Sequence, residues 1–288
     1  MASIITIKRR IQTASNVSKT TRAMQMIATS KLKKAQDAAL SGRPYVEKLT
    51  QISQNLTNTL EKEEKHPYMR TAEANLPVGE KTLLVVISPD KGLCGGLITN
   101  LTRELLNFDP ENTNNVYLTI GKRIENYTAN LQKPILASFK FGTTLPTFDM
   151  VFPILNIVDD YFLSQKVYSV KILSTNFVSV FSQQPNIKNV LPIEFPKEEE
   201  ASPYTLFEPS AKTLLPNILK HCLEMTIFQH LLESFASEQA ARMVAMQNAK
   251  DNAMEIVEEL QLLYNKGRQE KITNEILDIG GASNIQYE

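Results

Sequence analysis

The stretch SPDKGLCGGL, residues 88–97, contains the residue types of a phosphate-binding loop. It follows an apolar run and precedes a helical pattern, and a helix N-terminus offers a phosphate free N–H groups and a positive dipole end. Its glycines Gly92, Gly95 and Gly96 are spaced GxxGG, which matches neither GxGxxG nor GxxxxGK followed by Ser or Thr. Nucleotide binding stays an alternative. We favour the interpretation that these glycines allow tight packing between a strand and a helix.

The cysteines and histidines offer little further chemistry. Cys94 lies inside this stretch, where we expect a small packed residue and not a reactive thiol. Cys222 is far from it in sequence, so no disulfide framework is predicted and a reducing compartment is expected. His66, His221 and His230 are isolated, and although the last two could meet across a helix bundle as metal ligands, we favour structural roles. The sequence predicts no cofactor, no metal and no catalysis by this chain alone.

The composition is that of a globular protein with local concentrations of charge. Among 288 residues, 31 basic side chains balance 31 acidic ones, so no global field favours nucleic acid or an anionic membrane surface. Residues 1–50 contain ten basic and two acidic residues, whereas residues 237–288 contain five basic and nine acidic residues. Opposite charges suit two segments that pair with each other. Nucleic-acid binding by the basic segment is an alternative that its few aromatic residues disfavour.

Long helical patterns occupy both ends of the chain, and we predict that they form an antiparallel coiled coil. The first domain, residues 1–62, shows heptad-like steps that are interrupted at Gly42 and Pro44, where we expect a kink or a short break. The last domain, residues 206–283, carries a second seam. The members of this second seam include Ala249, Ala253, Ile256, Leu260, Leu263, Ile272, Ile276 and Ile279. No apolar run is long enough to span a membrane, and no signal peptide is expected.

The middle of the chain, residues 78–195, has the alternating pattern of a small Rossmann-like α/β domain with a mostly parallel sheet. KTLLVVIS is a continuous apolar run, as expected of a strand that is buried on both faces. The predicted strands are Lys81–Ser88, Asn115–Gly121, Pro134–Phe141 and Val167–Leu173. Helices are expected after Gly95, after Lys122 and around Pro153–Ser164. The predicted fold class is α/β plus a long antiparallel coiled coil formed by the N- and C-terminal helices.

Four segments resemble the gamma subunit family of F-type ATP synthases, in the order in which that family has them. They are IKRRIQTASNVSKTTRAMQMIATSKLKKAQ, SPDKGLCGGL, LLESFASEQAARMVAMQNAKDNA and YNKGRQEKITNEILDI. The resemblance implies the non-catalytic central shaft of a proton- or sodium-driven rotary ATP synthase, with the coiled coil inside a ring of three alpha and three beta subunits. It places the α/β domain at the foot of the shaft, beside the epsilon-type subunit and the ring of c subunits, without cofactor or nucleic acid.

The resemblance also implies which residues contact the partner subunits. The positions that engage the beta subunits are Met24, Glu238, Arg242, Arg268, Gln269, Thr273 and Glu275. Because the planar fork of arginine binds carboxylates bidentately, we expect Arg242 to face a partner and not the internal seam. An added positive charge at Met24 is expected to form a wrong ion pair and to reduce coupling. The small residues and methionines from Ser237 onward are interpreted as a smooth surface that turns inside the ring.

The expected location follows from the same resemblance. It is the cytoplasmic side of a bacterial inner membrane, as a peripheral subunit, and the alternative is a mature organellar inner membrane or thylakoid. Two other protein classes stay open. A nucleotide-binding oxidoreductase needs a phosphate loop that the sequence does not supply, and a coiled-coil scaffold needs a seam through which the chain associates with itself.

Overall fold

The structure, a computed structural model, describes most of the chain and divides it into two compact units. The described residues are 4–59, 66–70, 81–110, 115–195, 207–208 and 210–284. One unit, which we call the sheet unit, is residues 28–242, and the other, the helix unit, is residues 1–27 together with 243–288. The predicted domain ends at residues 60–62, 78–80 and 206 lie outside the described residues, so these boundaries stay predictions.

The described elements are two long terminal helices with alternating strands and helices between them. In chain order they are α1 (Ile4–Thr59), β1 (Thr82–Ile87), α2 (Leu97–Phe108), β2 (Val116–Ile120), α3 (Lys122–Asn130), β3 (Ile135–Phe139), α4 (Val151–Leu163), β4 (Ser169–Phe177), β5 (Gln183–Leu191) and α5 (Ala211–Asn284). Short 3-10 turns occupy Pro67–Met69 and Phe148–Met150. The predicted fold class is confirmed. Among the described residues, no helix is both long and apolar enough to cross a membrane.

The sheet of the sheet unit has the strand order β3-β2-β1-β4-β5. β1 lies at its centre because its side chains are apolar on both faces, and all but the first of its residues are buried. It pairs in parallel with both neighbours, so that Leu84 lies opposite Tyr117 on one side and Lys171 on the other. β3 extends the parallel part beside β2. These four strands are the four that the sequence predicts.

The fifth strand is an element that the sequence pattern does not predict. β5 runs antiparallel to β4 at the edge of the sheet. Its sequence, QQPNIKNVL, is polar and contains Pro185, and proline is tolerated in a strand only at an edge or a bulge. Over most of its length exposed and partly buried residues alternate, because only one face of the strand packs on the protein. The strand is specified by its pairing with β4, which its own residue pattern does not reveal.

Within the sheet unit, α1 and α5 pack side by side in opposite directions. The amide of Gln229 donates to the carbonyl oxygen of Ala39 at 2.9 Å. Further along α1, the hydroxyl of Tyr45 lies 2.8 Å from Nε2 of His221. Residue numbers therefore rise along one helix as they fall along the other, as the sequence predicts for an antiparallel pair.

Of the kink or short break predicted at Gly42 and Pro44, the break does not occur, since α1 is continuous from Ile4 to Thr59; the kink stays a prediction. Gly42 serves the packing instead, because a Cβ there would lie 2.5 Å from Oε1 of Gln229. Pro44 leaves one helical carbonyl without its N–H donor, and the Gln229 amide bonds to the carbonyl one residue earlier. Gly42 and Pro44 thus lie inside a continuous helix, at a point where α5 packs closely on α1.

Within the helix unit, α1 and α5 are also antiparallel. Gln25 and Gln247 hydrogen-bond across the pair. Gly267 lies opposite the start of α1, where a Cβ would be 3.7 Å from Cγ1 of Ile4. The residues of α5 after Gly267 therefore have no described residue of α1 opposite them.

The turn from β2 into α3 requires glycine at position 121. Gly121 has φ 106° and ψ 135°, a conformation that other residues rarely adopt. A Cβ there would lie 2.0 Å from the carbonyl oxygen of Ser88. The same approach lets Ser88 Oγ accept a hydrogen bond from the backbone N–H of Ile124 at 3.1 Å. This turn therefore holds the end of β1 against the start of α3.

We predict that Gly121→Ala destabilises the full chain by about 3 kcal/mol or more. A side chain at positive φ costs about 1–2 kcal/mol, and here it would also displace a backbone carbonyl. Gly142→Ala is the matched control, because Gly142 has φ 84° but nothing within 4 Å of its added Cβ. Urea denaturation of the full chain measures both changes. Equal losses of stability in the two variants would contradict this account of the turn.

Candidate partner-binding site

The stretch 88–97, which we call the glycine loop, forms hydrogen bonds with other parts of the chain through Asp90. Oδ1 of Asp90 accepts hydrogen bonds from the backbone N–H groups of Lys122 at 2.9 Å and Phe141 at 3.3 Å. Oδ2 accepts from the N–H of Gly142 at 2.8 Å. The carboxylate thus binds the N-terminus of α3, where it also faces the positive end of the helix dipole. Asp90 thus holds the glycine loop against α3 and residues 141–142, in agreement with the packing interpretation of the loop.

The glycine loop is also packed against α5. Gly95 has φ 58° and Leu93 has φ 63°, so the chain reverses sharply around Cys94. Cys94 is buried beside Leu97 and Ala241. Burial raises the pKa of the Cys94 thiol, which keeps it protonated and unreactive at neutral pH. The prediction of a small packed residue at this position is confirmed.

Glu238 and Arg242, two of the predicted site residues, meet at this loop. Nη1 of Arg242 lies 2.6 Å from Oε1 of Glu238, one helical turn earlier on α5. Nη2 of Arg242 donates to the carbonyl oxygens of Gly92 at 3.3 Å and Lys91 at 3.4 Å. The guanidinium is therefore bound within the chain, although we expected it to face a partner. Its contact with a partner subunit stays a prediction.

The electrostatics of this pair are set by burial. The side chain of Glu238 is 3% exposed and that of Arg242 is 17% exposed. Burial raises the pKa of Glu238, and the neighbouring cation of Arg242 opposes that effect. Oε2 of Glu238 has no hydrogen-bond partner among the described residues. The charged form of this carboxylate thus depends on Arg242.

The smooth-surface interpretation of α5 is wrong for its first part. Every residue from Phe235 to Ala241 is buried within the sheet unit. Ala236 and Ala240 are fully buried, and Ser237 donates a hydrogen bond to the carbonyl oxygen of Thr175 at 3.1 Å. The small side chains therefore let α5 lie close to its own sheet, so they do not form a surface turned towards a partner.

The four remaining predicted residues of α5 lie on exposed turns of the helix unit. Arg268, Gln269, Thr273 and Glu275 are all exposed. The hydroxyl of Thr273 donates to the carbonyl oxygen of Gln269 at 2.9 Å, and Glu275 lies 3.5 Å from Lys271. These contacts are local to the helix, so the side chains are available to another molecule.

Met24 belongs to a larger set of exposed apolar side chains on the helix unit. The set comprises Ile5, Val17, Met24, Met26, Ile27, Met254, Ile256, Leu262, Leu263, Ile272, Ile276 and Leu277. The predicted seam is therefore wrong at Ile256, Leu263, Ile272 and Ile276, whereas Ala253 is buried as expected. Clusters of exposed apolar residues are typical of interaction surfaces. Heptad spacing alone did not separate these residues from the internal seam; the register of α1 against α5 does.

The histidines have structural partners. His230 is buried with Nδ1 2.8 Å from Oγ of Ser174, and His221 lies between Tyr45 and Glu224. In the part of the chain that the structure describes, no three His, Cys, Asp or Glu side chains are placed to hold a metal ion. Two features therefore remain as candidate sites: the buried Glu238–Arg242 pair at the glycine loop and the exposed surface of the helix unit.

Comparison with known proteins identifies similar chains over almost the whole length. The family model described as ATP synthase matches residues 3–284. The ATP synthase gamma chain of Dehalococcoides mccartyi is 40% identical over 289 residues, covering 98% of this chain and 99% of that protein. The ATP synthase gamma chain of Methylacidiphilum infernorum is 36% identical over 298 residues, covering 98% of each. These relatives are bacterial proteins.

A solved structure has the same fold. It is a chain of the Euglena gracilis mitochondrial ATP synthase, from a structure of OSCP, F1 and the c-ring, with a TM-score of 0.68. The match covers 98% of this chain and 95% of that chain at 20% identity. At this identity the likeness concerns the fold alone.

The buried pair predicts a dependence of stability on pH. Because the pKa of Glu238 is raised in the folded protein, its contribution to stability is fully present below the ordinary glutamate pKa and is lost as the pH rises through the folded pKa. Arg242→Ala removes the opposing cation and raises that pKa further. We expect Arg242→Ala to destabilise the chain by up to about 3–5 kcal/mol at about pH 8 and by clearly less at about pH 5.

Urea denaturation of the full chain at the two pH values measures this effect. Glu238→Gln combined with Arg242→Ala should remove the pH dependence, because no buried carboxylate is left. Lys271→Ala is the matched control, since it breaks a pair with the same spacing whose side chains are 67% and 60% exposed. It should change stability by less than about 1 kcal/mol. The same loss for Arg242→Ala at both pH values would show that Glu238 is not the titrating group.

Proposed function

Since the chain belongs to the ATP synthase gamma-chain family, it is a subunit of a larger complex, and we propose that it is the central rotating shaft of an F-type ATP synthase. It would couple ion flow through a membrane ring of c subunits to ATP synthesis or hydrolysis at sites on an alpha and beta ring. The observation that supports this proposal is the row of exposed apolar and polar side chains on the helix unit, which a surrounding ring would cover.

The proposed mechanism is mechanical. An asymmetric helix pair inside a threefold ring contacts the three catalytic sites differently, so each orientation favours a different nucleotide affinity at each site. Rotation then moves each site through these states in turn. The chain itself supplies contacts and torque, and bond making and breaking take place on the ring.

The exposed turns of α5 carry the proposed polar contacts. Arg268, Gln269, Thr273 and Glu275 use few of their polar atoms inside the helix unit, which supports their assignment as contacts to beta subunits. Exposed Met24 is proposed for the same role on α1. Exposed apolar side chains with few protruding polar groups would let the surface slide, while charged groups would hold it at defined angles.

Glu238 and Arg242 are proposed to act at the edge of this contact. The fork of Arg242 is occupied by Glu238 and the glycine loop, so a carboxylate of a beta subunit would have to share it or displace a loop carbonyl. Such an exchange would leave the buried Glu238 partly unpaired. The Glu238–Arg242 pair would then oppose binding of the ring carboxylate and so delay the contact with the ring.

The partners of the sheet unit are proposed from the family. They are the epsilon-type subunit and the c ring, at a peripheral position on the cytoplasmic side of a bacterial inner membrane. The bacterial relatives support this location, and a mature organellar inner membrane or thylakoid is the alternative. Nucleic acid, cofactors and metals have no role in the proposal.

The decisive test is reconstitution with alpha and beta subunits from one source. Cys94 is buried and unsuitable for a probe, so we would label Phe181→Cys, whose native side chain at the β4–β5 turn is 87% exposed. Rotation of the probe in three equal sectors, together with ATP hydrolysis that requires this chain, is the expected result. Self-association of the chain and failure to enter the complex would instead favour a coiled-coil scaffold.

We predict that Arg268→Ala weakens assembly with the ring by about ten- to 150-fold, as expected from loss of one charge-assisted hydrogen bond of about 1.5–3 kcal/mol. It should also lower the ion pumping obtained per ATP hydrolysed in membranes. Lys266→Ala is the matched control, because this exposed cation lies about 200° away around the helix. Neither change should alter the urea midpoint of the isolated chain. Equal effects of the two substitutions would argue against a specific contact at Arg268.

A further inference from the structure

A cleft in the sheet unit carries polar groups that the proposed function does not use. It lies between the strands β4 and β5 and the two long helices, with a volume of about 380 Å³. Asn176 of β4 and Asn186 and Lys188 of β5 form one side. Gln229 and His230 of α5 form the other. No residue of the helix unit or of the glycine loop takes part in it.

The wall of this cleft contains an imidazole N–H donor. Ser174 is fully buried, and among the described residues its hydroxyl has a hydrogen bond only with Nδ1 of His230, at 2.8 Å. Because a buried hydroxyl needs an acceptor, we assign the serine as the donor of this hydrogen bond and Nδ1 as its acceptor. Burial, reinforced by Lys188, lowers the pKa of His230 to about 4, so the ring is neutral at pH 7. Its own proton is therefore on Nε2, which has no partner in the described part of the chain.

The charge balance of the cleft is positive. Glu233 also lines it, but Oε1 of Glu233 lies 2.9 Å from both Nε of Arg43 and Nε2 of Gln229. That carboxylate is therefore already compensated. Lys188 forms no ion pair with a described residue, and its charge acts on His230. The cleft thus offers an ammonium group, an imidazole N–H and the side-chain amides of Asn176 and Asn186, which are donors that bind an oxyanion.

A second cavity continues from this cleft. It has a volume of about 240 Å³ and shares Lys188 and Thr226 with the first. Much of its remaining wall is apolar and includes Val190, Ile193, Phe195 and Leu223. An oxyanion with a short alkyl chain would place its charged end at Lys188 and its chain here.

We propose that the cleft binds a small oxyanion, with the ammonium group of Lys188 and the Nε2–H of His230 as its principal donors. The shared ligand chemistry is that of inorganic phosphate and of short-chain carboxylates. Anion binding is measured on the isolated full chain and does not require rotation. A failure of the anion-site proposal can therefore be distinguished from a failure of the shaft proposal.

The experiment is calorimetric titration of the full chain with sodium phosphate, acetate and hexanoate at constant ionic strength. We expect saturable binding of at least one of them, with Kd on the order of 1 mM. Lys188→Gln should weaken it about tenfold or more, the effect of losing one charge-assisted hydrogen bond. Lys188 is exposed, so this variant should keep the unfolding midpoint of the wild type. Lys166→Gln is the matched control, because Lys166 is an exposed cation outside the cleft.

The role of His230 is measured in the wild-type chain, because replacing this buried residue can disturb folding. Its ring C–H resonance should shift on addition of the bound anion and should not shift in Lys188→Gln. If hexanoate binds more tightly than acetate, the result supports the proposal and identifies a short-chain carboxylate as the preferred ligand. If phosphate binds more tightly than either, the result supports the proposal and identifies phosphate. Absence of saturable binding of all three anions, or equal binding by the wild type and Lys188→Gln, would overturn it.

Discussion

The fold depends on the meeting of the first and last segments of one chain. Gln25 and Gln247 hydrogen-bond across α1 and α5 although 222 residues separate them in sequence. Gln229 reaches the carbonyl of Ala39 over 190 residues. Closing loops of this length costs conformational entropy, which is offset when the intervening chain is itself compact. The mostly parallel sheet, with its buried central strand, provides that compact connection, and α5 packs on it through a run of small buried residues. The pairing of α1 with α5 therefore depends on the burial of the sheet between them in sequence.

Patterns that repeat locally were readable from the sequence, and features that depend on distant neighbours were not. The apolar run of β1 and the heptad-like steps of both helices predicted their elements because each pattern lies within one segment. β5 was not predicted because its polar residues form a strand only when they pair with β4. At the candidate site, the resemblance implied that Glu238 and Arg242 face a partner, and only the structure shows that they pair with each other and that the glycine loop binds the same guanidinium. Exposure of Ile256 likewise depends on the register between two helices.

The two units use their side chains in contrasting ways. In the sheet unit, some charged groups bind within the chain: Asp90 accepts from three backbone N–H groups, and the buried Glu238 relies on Arg242. Such buried charges add specificity of arrangement at a considerable cost in desolvation. In the helix unit, apolar and charged groups alike are turned outward and have mostly local contacts. A body that must keep its shape and a surface that must meet other subunits would be expected to differ in this way.

The separation of α1 from α5 in sequence also has a consequence during translation. The ribosome completes α1 before the sheet exists, whereas α5 is the last element of the chain to be made. At about 5–20 residues per second, the nascent first helix waits roughly ten seconds or longer for its partner. During that interval the apolar side chains that later face α5 lie open to other nascent chains. The pairing of the two long helices is therefore a late step, which can be completed only after the sheet has been synthesised.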